Sequence, residues 1–209
     1  MTVHEHAKKY LELGWSVFPI RHKLKTPGAT WNQYRTSRLT NADVDTTFRA
    51  DSNIALACGE LSGVLVVDQD LYKGKPGLEN IDSPLKAITP RGGVHLYFKY
   101  NSDFQNTVNE KKATDIRSEG GYVLLPPSIV EYEDKYVGSY MWVNEPTIEL
   151  LQNLPDAPKS LIEALYTQET SKVPSDTLFT PVGDDFAPVG EGGRNNEISR
   201  FSLTMLNRY

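Results

Sequence analysis

The pattern of apolar and polar positions predicts a strand-rich middle between short helices. Thr2 with Glu5 three residues on is a capping-box pattern, and a helix follows to about Leu13, where Gly14 stops it. "WSVFPI" reads as a short strand ended by Pro19. "RHKLKTPGATWNQYRTSR" reads as a loop punctuated by Pro27 and Gly28. Thr40 caps a short helix over "NADVDTTFR". "NIALAC" and "GVLVVD" are apolar runs of strand length, separated by a turn at "GELSG". A short helix is expected near "GLENI". "VHLYFKY", "TDIR", "GYVLLPP" and "SYMWV" read as strands, "SPLKAITPRGG" as a turn or mobile loop, and "APKSLIEALY" as a helix. Strands in the middle and helices at the flanks give an α+β class.

The main domain is expected over residues 1–166. Residues 167–193 are rich in Pro, Gly, Ser, Thr and Asp without periodicity and read as a linker. In residues 194–209, Ile198, Phe201 and Met205 fall at helical spacing. One short helix forms no core of its own. It is expected to dock on the main domain or to begin a helical domain. No internal repeat is visible.

Composition narrows the class further. The 209 residues are 39% hydrophobic and 23% charged, as in a soluble globular protein. No run of eighteen apolar residues exists, so no membrane span or membrane partner is expected. "MTVHEHAKKY" lacks an apolar signal core, so a cytoplasmic location is expected. A single cysteine, Cys58, excludes an internal disulfide and a multi-cysteine zinc cage, and no zinc is expected. The net charge of −5 argues against a broadly basic nucleic-acid coat. Residues 1–50 nevertheless carry eight Lys and Arg against four Asp and Glu, and residues 51–209 fourteen against twenty-three. A basic N-terminal segment can hold phosphates locally; ordinary surface scatter gives the same imbalance.

Three segments carry candidate chemistry. "GVLVVDQD" ends a buried strand in two acids, and alternation puts Asp68 and Asp70 on one face with Gln69 on the other. Adjacent carboxylates repel unless a cation lies between them, although a turn beginning at Asp68 reads the same way. In "TPRGGVHLYF", Gly92 and Gly93 allow close approach of backbone N–H groups to a phosphate, and His95 follows on the same face as Tyr97. The bland alternative is a hairpin turn and a surface histidine. In "TDIRSEGGYVLLPPS", Asp115 and Arg117 share a face with Ile116 turned inward, which is also the pattern of a surface ion pair. Three carboxylates are able to hold two divalent ions about 4 Å apart for in-line phosphoryl transfer. Oxygen ligands suit Mg²⁺ or Mn²⁺.

In this order, "GWSVFPI", "NIALACGELSGVLVVDQD", "TPRGGVHLYF" and "DIRSEGGYVLLPPS" resemble the primase-polymerase (Prim-Pol) domain of the archaeo-eukaryotic primase superfamily, found in replication proteins of plasmids and phages. The resemblance spans roughly residues 5–145. It implies an α/β unit packed with an RRM-like unit, with the active site in the cleft between them. It implies template-directed primer synthesis and extension from NTPs or dNTPs on single-stranded DNA. Asp68 and Asp70 match the family's DxD metal motif, His95 the histidine that contacts the incoming triphosphate, and Asp115 the third metal-site acid. Asp68, Asp70, His95 and Asp115 are thus the expected catalytic set. Arg117 and Arg91 are placed near the phosphates, with Gly92 and Gly93.

The sequence departs from the family in three places. The zinc-binding insert with several Cys and His that some members carry is absent, since the chain has one cysteine. Gly93-Val94-His95 stands where relatives often have Ser-x-His, so a backbone contact must replace a hydroxyl. "EGGRNNEISRFSLTMLNRY" resembles the start of the helical region that precedes helicase parts in longer phage primases, which makes a helicase domain or protein an expected partner and a truncated or stand-alone form an expectation.

Trp31 and Tyr34, in the basic loop with Lys23, Lys25 and Arg35, are the expected platform for template bases. Trp15, Phe18 and Trp142 read as core. Two other readings stay open. One is a catalytically weak module binding nucleotide or single-stranded DNA. The other is a metal-dependent nuclease or a DxD nucleotide-sugar transferase.

Overall fold

Local capping signals set the first two helices. In α1 (Val3–Glu12) the Glu5 N–H donates to Thr2 Oγ1 at 3.2 Å, and the Thr2 N–H to Glu5 Oε2 at 2.6 Å. Gly14, at φ +84°, ends the turn that follows. Thr40 and Asp43 repeat the device at α2 (Asn41–Thr47). These features belong to a computed structural model that describes residues 1–71, 78, 80–109 and 113–166. The expected linker at 167–193 and helix at 194–209 lie outside the described residues. The helix expected near "GLENI" lies partly outside them, and Asn80 and Ile81 are not helical.

The strands, in chain order, are β1 (Val17–Ile20), β2 (Asn53–Ala57), β3 (Val64–Gln69), β4 (Lys86–Ile88), β5 (Val94–Lys99) and β6 (Thr107–Asn109). They continue with β7 (Thr114–Arg117), β8 (Tyr122–Leu125), β9 (Ile129–Glu131), β10 (Val137–Ser139) and β11 (Met141–Trp142). Two short helices close the described chain, α3 (Ile148–Gln152) and α4 (Ser160–Tyr166). β1, β2 and β8 form a three-stranded sheet, β9 and β10 a hairpin, and β11-β4-β5-β3-β7-β6 a six-stranded antiparallel sheet. Few helices with several antiparallel sheets fit the α+β class.

Several expectations need correction. Pro19 does not end its strand: it lies inside β1, paired with Ile54. β1 is the edge of its sheet, and an edge strand tolerates a residue with no N–H. "SPLKAITPRGG" is not all loop, because Lys86–Ile88 form β4 against β5. The long basic loop contains a 3₁₀ turn, Trp31–Arg35. β6, β9, β10 and α3 are too short to leave a periodic signal.

The six-stranded sheet is covered on both faces. Val64, Val66, Ala87 and Tyr97 join Val17, Ile54, Leu56, Val123 and Leu125 of the small sheet, with Trp15 and Tyr10, in one apolar cluster. Leu65, Val67, Leu96, Phe98 and Ile116 pack on the other side with Leu161 and Leu165 of α4. This explains why β3 reads as a continuous apolar run. Among the described residues, no helix is long and apolar enough to cross a membrane.

Candidate active site

β3 lies between β5 and β7, and its register places Asp68 opposite His95 on one side and opposite Asp115 on the other. Directly paired residues share a face. His95, Asp68 and Asp115 therefore form a row across the sheet, where the apolar cluster of Val64 and Val66 gives way to polar side chains.

Asp68 is the pivot of that row. Its Oδ1 is buried without a hydrogen-bond partner and stands 3.5 Å from His95 Nε2. Burial pushes the Asp68 carboxyl up, but His95, Arg117 and Lys25 outweigh it and hold the group below its ordinary range. Asp115 moves the other way. Burial raises it, the charges of Asp68 and Asp70 raise it further, and Arg117 only partly offsets them. Arg117 donates to Asp115 Oδ2 at 2.8 Å, and the Asn109 N–H donates to Oδ1 at 3.2 Å. Asp70 follows the last residue of β3, its N–H bonded to the Ala113 carbonyl at 2.8 Å.

His95 is not a surface residue. It is 3% exposed, its Nδ1 is buried without a hydrogen-bond partner, and its ring lies 5.4 Å from that of Tyr140. Tyr97, on the same face, is wholly buried against Trp15.

The glycines before His95 act within the protein itself. The Gly92 N–H donates to the Thr89 carbonyl at 2.9 Å, closing a turn over Pro90 and Arg91, and Gly92 has φ +83°. A Cβ on Gly93 would stand 2.6 Å from the Gln69 carbonyl oxygen and 3.4 Å from Asp70 Cα. The missing side chain thus lets the turn bearing Arg91 lie against the end of β3. Gly93→Ala is expected to lose about 1–3 kcal/mol of stability through this overlap. Gly28→Ala, with nothing within 4 Å, is the neutral control. Urea unfolding of the two variants checks this, and equal midpoints would refute the close approach.

A cleft of about 530 Å³ is lined by Lys23, Leu24, Lys25, Arg91 and the β9–β10 hairpin residues Val130–Asp134. Lys25 Nζ lies 4.5 Å from the centre of the Tyr132 ring, and the Arg91 guanidinium 4.2 Å from it. Burial raises the Tyr132 hydroxyl, Arg91 opposes this, and the charges of Asp70 and Asp68 add to it. The turn that carries Arg91 lies against Gln69 and Asp70 through Gly93, so the cleft adjoins the end of β3. Lys23 pairs with Glu131 at 3.0 Å, and Arg91 with Asp134.

The expected template residues divide. Lys23 and Lys25 line the cleft. Trp31 and Tyr34 stack on Phe18, with ring centres 5.5 and 5.2 Å away, and Trp31 also meets Tyr122 edge-on at 5.1 Å. Both rings thus have protein partners. Arg35 pairs with Glu119 at 3.3 Å.

Sequence reading missed Tyr132 and Asn53. Asn53 is 2% exposed; its amide donates to the Leu24 carbonyl at 2.9 Å and the Ile129 carbonyl at 2.7 Å, and its oxygen accepts from the Ile129 N–H. It ties the Lys23–Lys25 loop to the base of the hairpin. The only early signal for Tyr132 is the alternation of "IVEYEDKYVGSY".

The donor chemistry suits a hard divalent ion: the oxygens are carboxylate, one is buried without a hydrogen-bond partner, and the charges of Asp68 and Asp70 raise Asp115. Among the described residues, however, no three His, Cys, Asp or Glu side chains converge as a metal-holding group.

No curated protein matches the chain. Residues 7–160, most of the chain, match the family described as "Bifunctional DNA primase/polymerase, N-terminal". The match takes in β1–β11 and with them the acid row, the glycine turn and the cleft, so the chain belongs to the Prim-Pol family, and its function is of the DNA primase/polymerase type.

Proposed function

We propose that this chain carries out template-directed nucleotidyl transfer from NTPs or dNTPs on single-stranded DNA, as a primase-polymerase in the replication of a phage, plasmid or other mobile element. The observation that carries the reading is the row His95–Asp68–Asp115 together with a cleft that Lys23, Lys25 and Arg91 line, in a chain of this family. In the reaction, the 3′ oxygen of the growing strand bonds to the α-phosphorus, the bond to the bridging oxygen breaks, and pyrophosphate leaves.

Asp68, Asp70 and Asp115 would hold Mg²⁺ or Mn²⁺, as two ions. Bound there, such ions lower the pKa of the attacking hydroxyl and neutralise the leaving group. The chain's own residues do the rest. Arg117 fixes and partly neutralises Asp115. His95 supports Asp68 from inside the sheet. Lys23, Lys25 and Arg91 bind phosphate oxygens, and Tyr132 offers a flat apolar wall. The pairing of an α/β unit with an RRM-like unit, and a helicase of the same replicon as partner, belong to this proposal.

The test is nucleotide incorporation on single-stranded DNA, with and without an annealed primer, in Mg²⁺ and in Mn²⁺. Template-dependent products are expected from the parent and none from Asp68→Ala/Asp70→Ala. Intact, bound DNA with no product would favour the binding module. Shortened DNA would make the protein a nuclease.

A further inference from the structure

The β9–β10 hairpin presses its acids onto the two cation-bearing loops of the cleft. Glu131 holds Lys23 at 3.0 Å, and Asp134 holds Arg91. The same tip is fastened by Tyr136, whose hydroxyl donates to the Pro90 carbonyl at 2.6 Å. Gly138 completes the seat, since a Cβ there would stand 2.9 Å from Pro90 Cβ. The hairpin is therefore anchored to the turn by contacts that do not involve charge, and its two ion pairs are a separate feature.

Those pairs are open to water. Side-chain exposures are 42% and 33% for Lys23 and Glu131, and 28% and 58% for Arg91 and Asp134. Ion pairs this accessible are weak and exchange readily. A phosphate chain brings more negative charge and more acceptor oxygens than one carboxylate, and it competes for the same cations.

We propose that Glu131 and Asp134 are built-in competitors of the nucleotide's phosphate chain: they occupy Lys23 and Arg91 and release them to a triphosphate. This rests on the nucleotide-site reading above. The arrangement sets affinity and favours the most highly charged ligand. A monophosphate brings one charged group against two carboxylates, whereas a triphosphate brings one for each of the two cations that line the cleft.

The test is calorimetric titration of the full chain with sodium tripolyphosphate and with dATP, in Mg²⁺. Glu131→Gln and Asp134→Asn are each expected to tighten binding, by about two- to fivefold, and the double variant to tighten it further. Glu133→Gln removes the same charge from the same cleft lining and is the control; it is expected to change little. Weaker or unchanged binding in both single variants, or equal tightening by Glu133→Gln, would overturn the exchange. Either pair alone carries the test should one variant fail to fold. If neither ligand binds the parent, the nucleotide-site reading itself falls. If both bind the parent and the variants alike, only the competition falls.

Discussion

Asp68→Asn is expected to cut nucleotide incorporation roughly a thousandfold, which corresponds to about 4 kcal/mol of lost charge stabilisation at the transition state. The protein is expected to stay folded. Two effects on stability oppose each other. The Asp68 carboxyl lies below its ordinary range, so its ionised form stabilises the fold above the unfolded pKa, and that contribution fades as pH falls through the folded one. The same charge helps to push Asp115 up. An acid raised in this way is ionised at a cost near neutral pH, and removing Asp68 relieves it. The amide conserves volume in a tight row, so the net change in stability is expected to stay below about 1 kcal/mol. Thermal unfolding with and without Mn²⁺ gives a readout apart from turnover. Mn²⁺ is expected to raise the parent's midpoint through preferential binding to the folded state, and to leave Asp68→Asn unmoved. Retention of a tenth of the parent's turnover, or equal stabilisation of both proteins by Mn²⁺, would remove Asp68 from the centre of the site.

What could be read in the sequence was local or strictly periodic. Thr2 with Glu5, and Thr40 at the start of α2, announce helix starts because the donors and acceptors lie three residues apart. Residues 64–69 read as a buried strand because Val64–Val67 are an unbroken apolar run, and of the six only Asp68 is partly exposed in the fold. Alternation also placed Asp115 and Arg117 on one face, where they do meet. What escaped is tertiary. The burial of His95 involves Tyr140, which lies far from it in sequence. β4 has three residues and exists because β5 pairs with it. The loop aromatics Trp31 and Tyr34 look available until Phe18 and Tyr122 are seen beneath them. Tyr132 becomes part of a site only because Asn53 ties the loop of Lys25 to the hairpin base, and the turn of Arg91 folds onto its tip.

Trp15→Ala is expected to lose about 3–5 kcal/mol of stability, the usual range for truncating a buried tryptophan. Trp15 is 1% exposed, and its ring lies 5.7 Å from Tyr10, 5.9 Å from Tyr97 and 6.1 Å from Trp142. Since small domains have only about 5–15 kcal/mol in total, the loss would remove roughly a fifth or more of what holds the fold. The indole Nε1 has no hydrogen-bond partner, so Trp15→Phe breaks no hydrogen bond and is expected to lose less than the alanine variant. The site is linked to this cluster through Tyr97, which stacks on Trp15 and stands two residues from His95 on β5. Yet β5 is held to β3 at six paired positions, Val64 to Gln69, and these fix the register of Asp68 with His95 independently of the tryptophan. Denaturant unfolding should therefore show a large shift in midpoint, while incorporation per folded molecule, measured well below the midpoint, stays close to the parent's. A stability loss under about 1 kcal/mol would mean that the cluster around Trp15 packs too loosely to be the core of the two sheets. A variant that is folded but inactive would place Trp15 in the machinery of the site instead of beneath it.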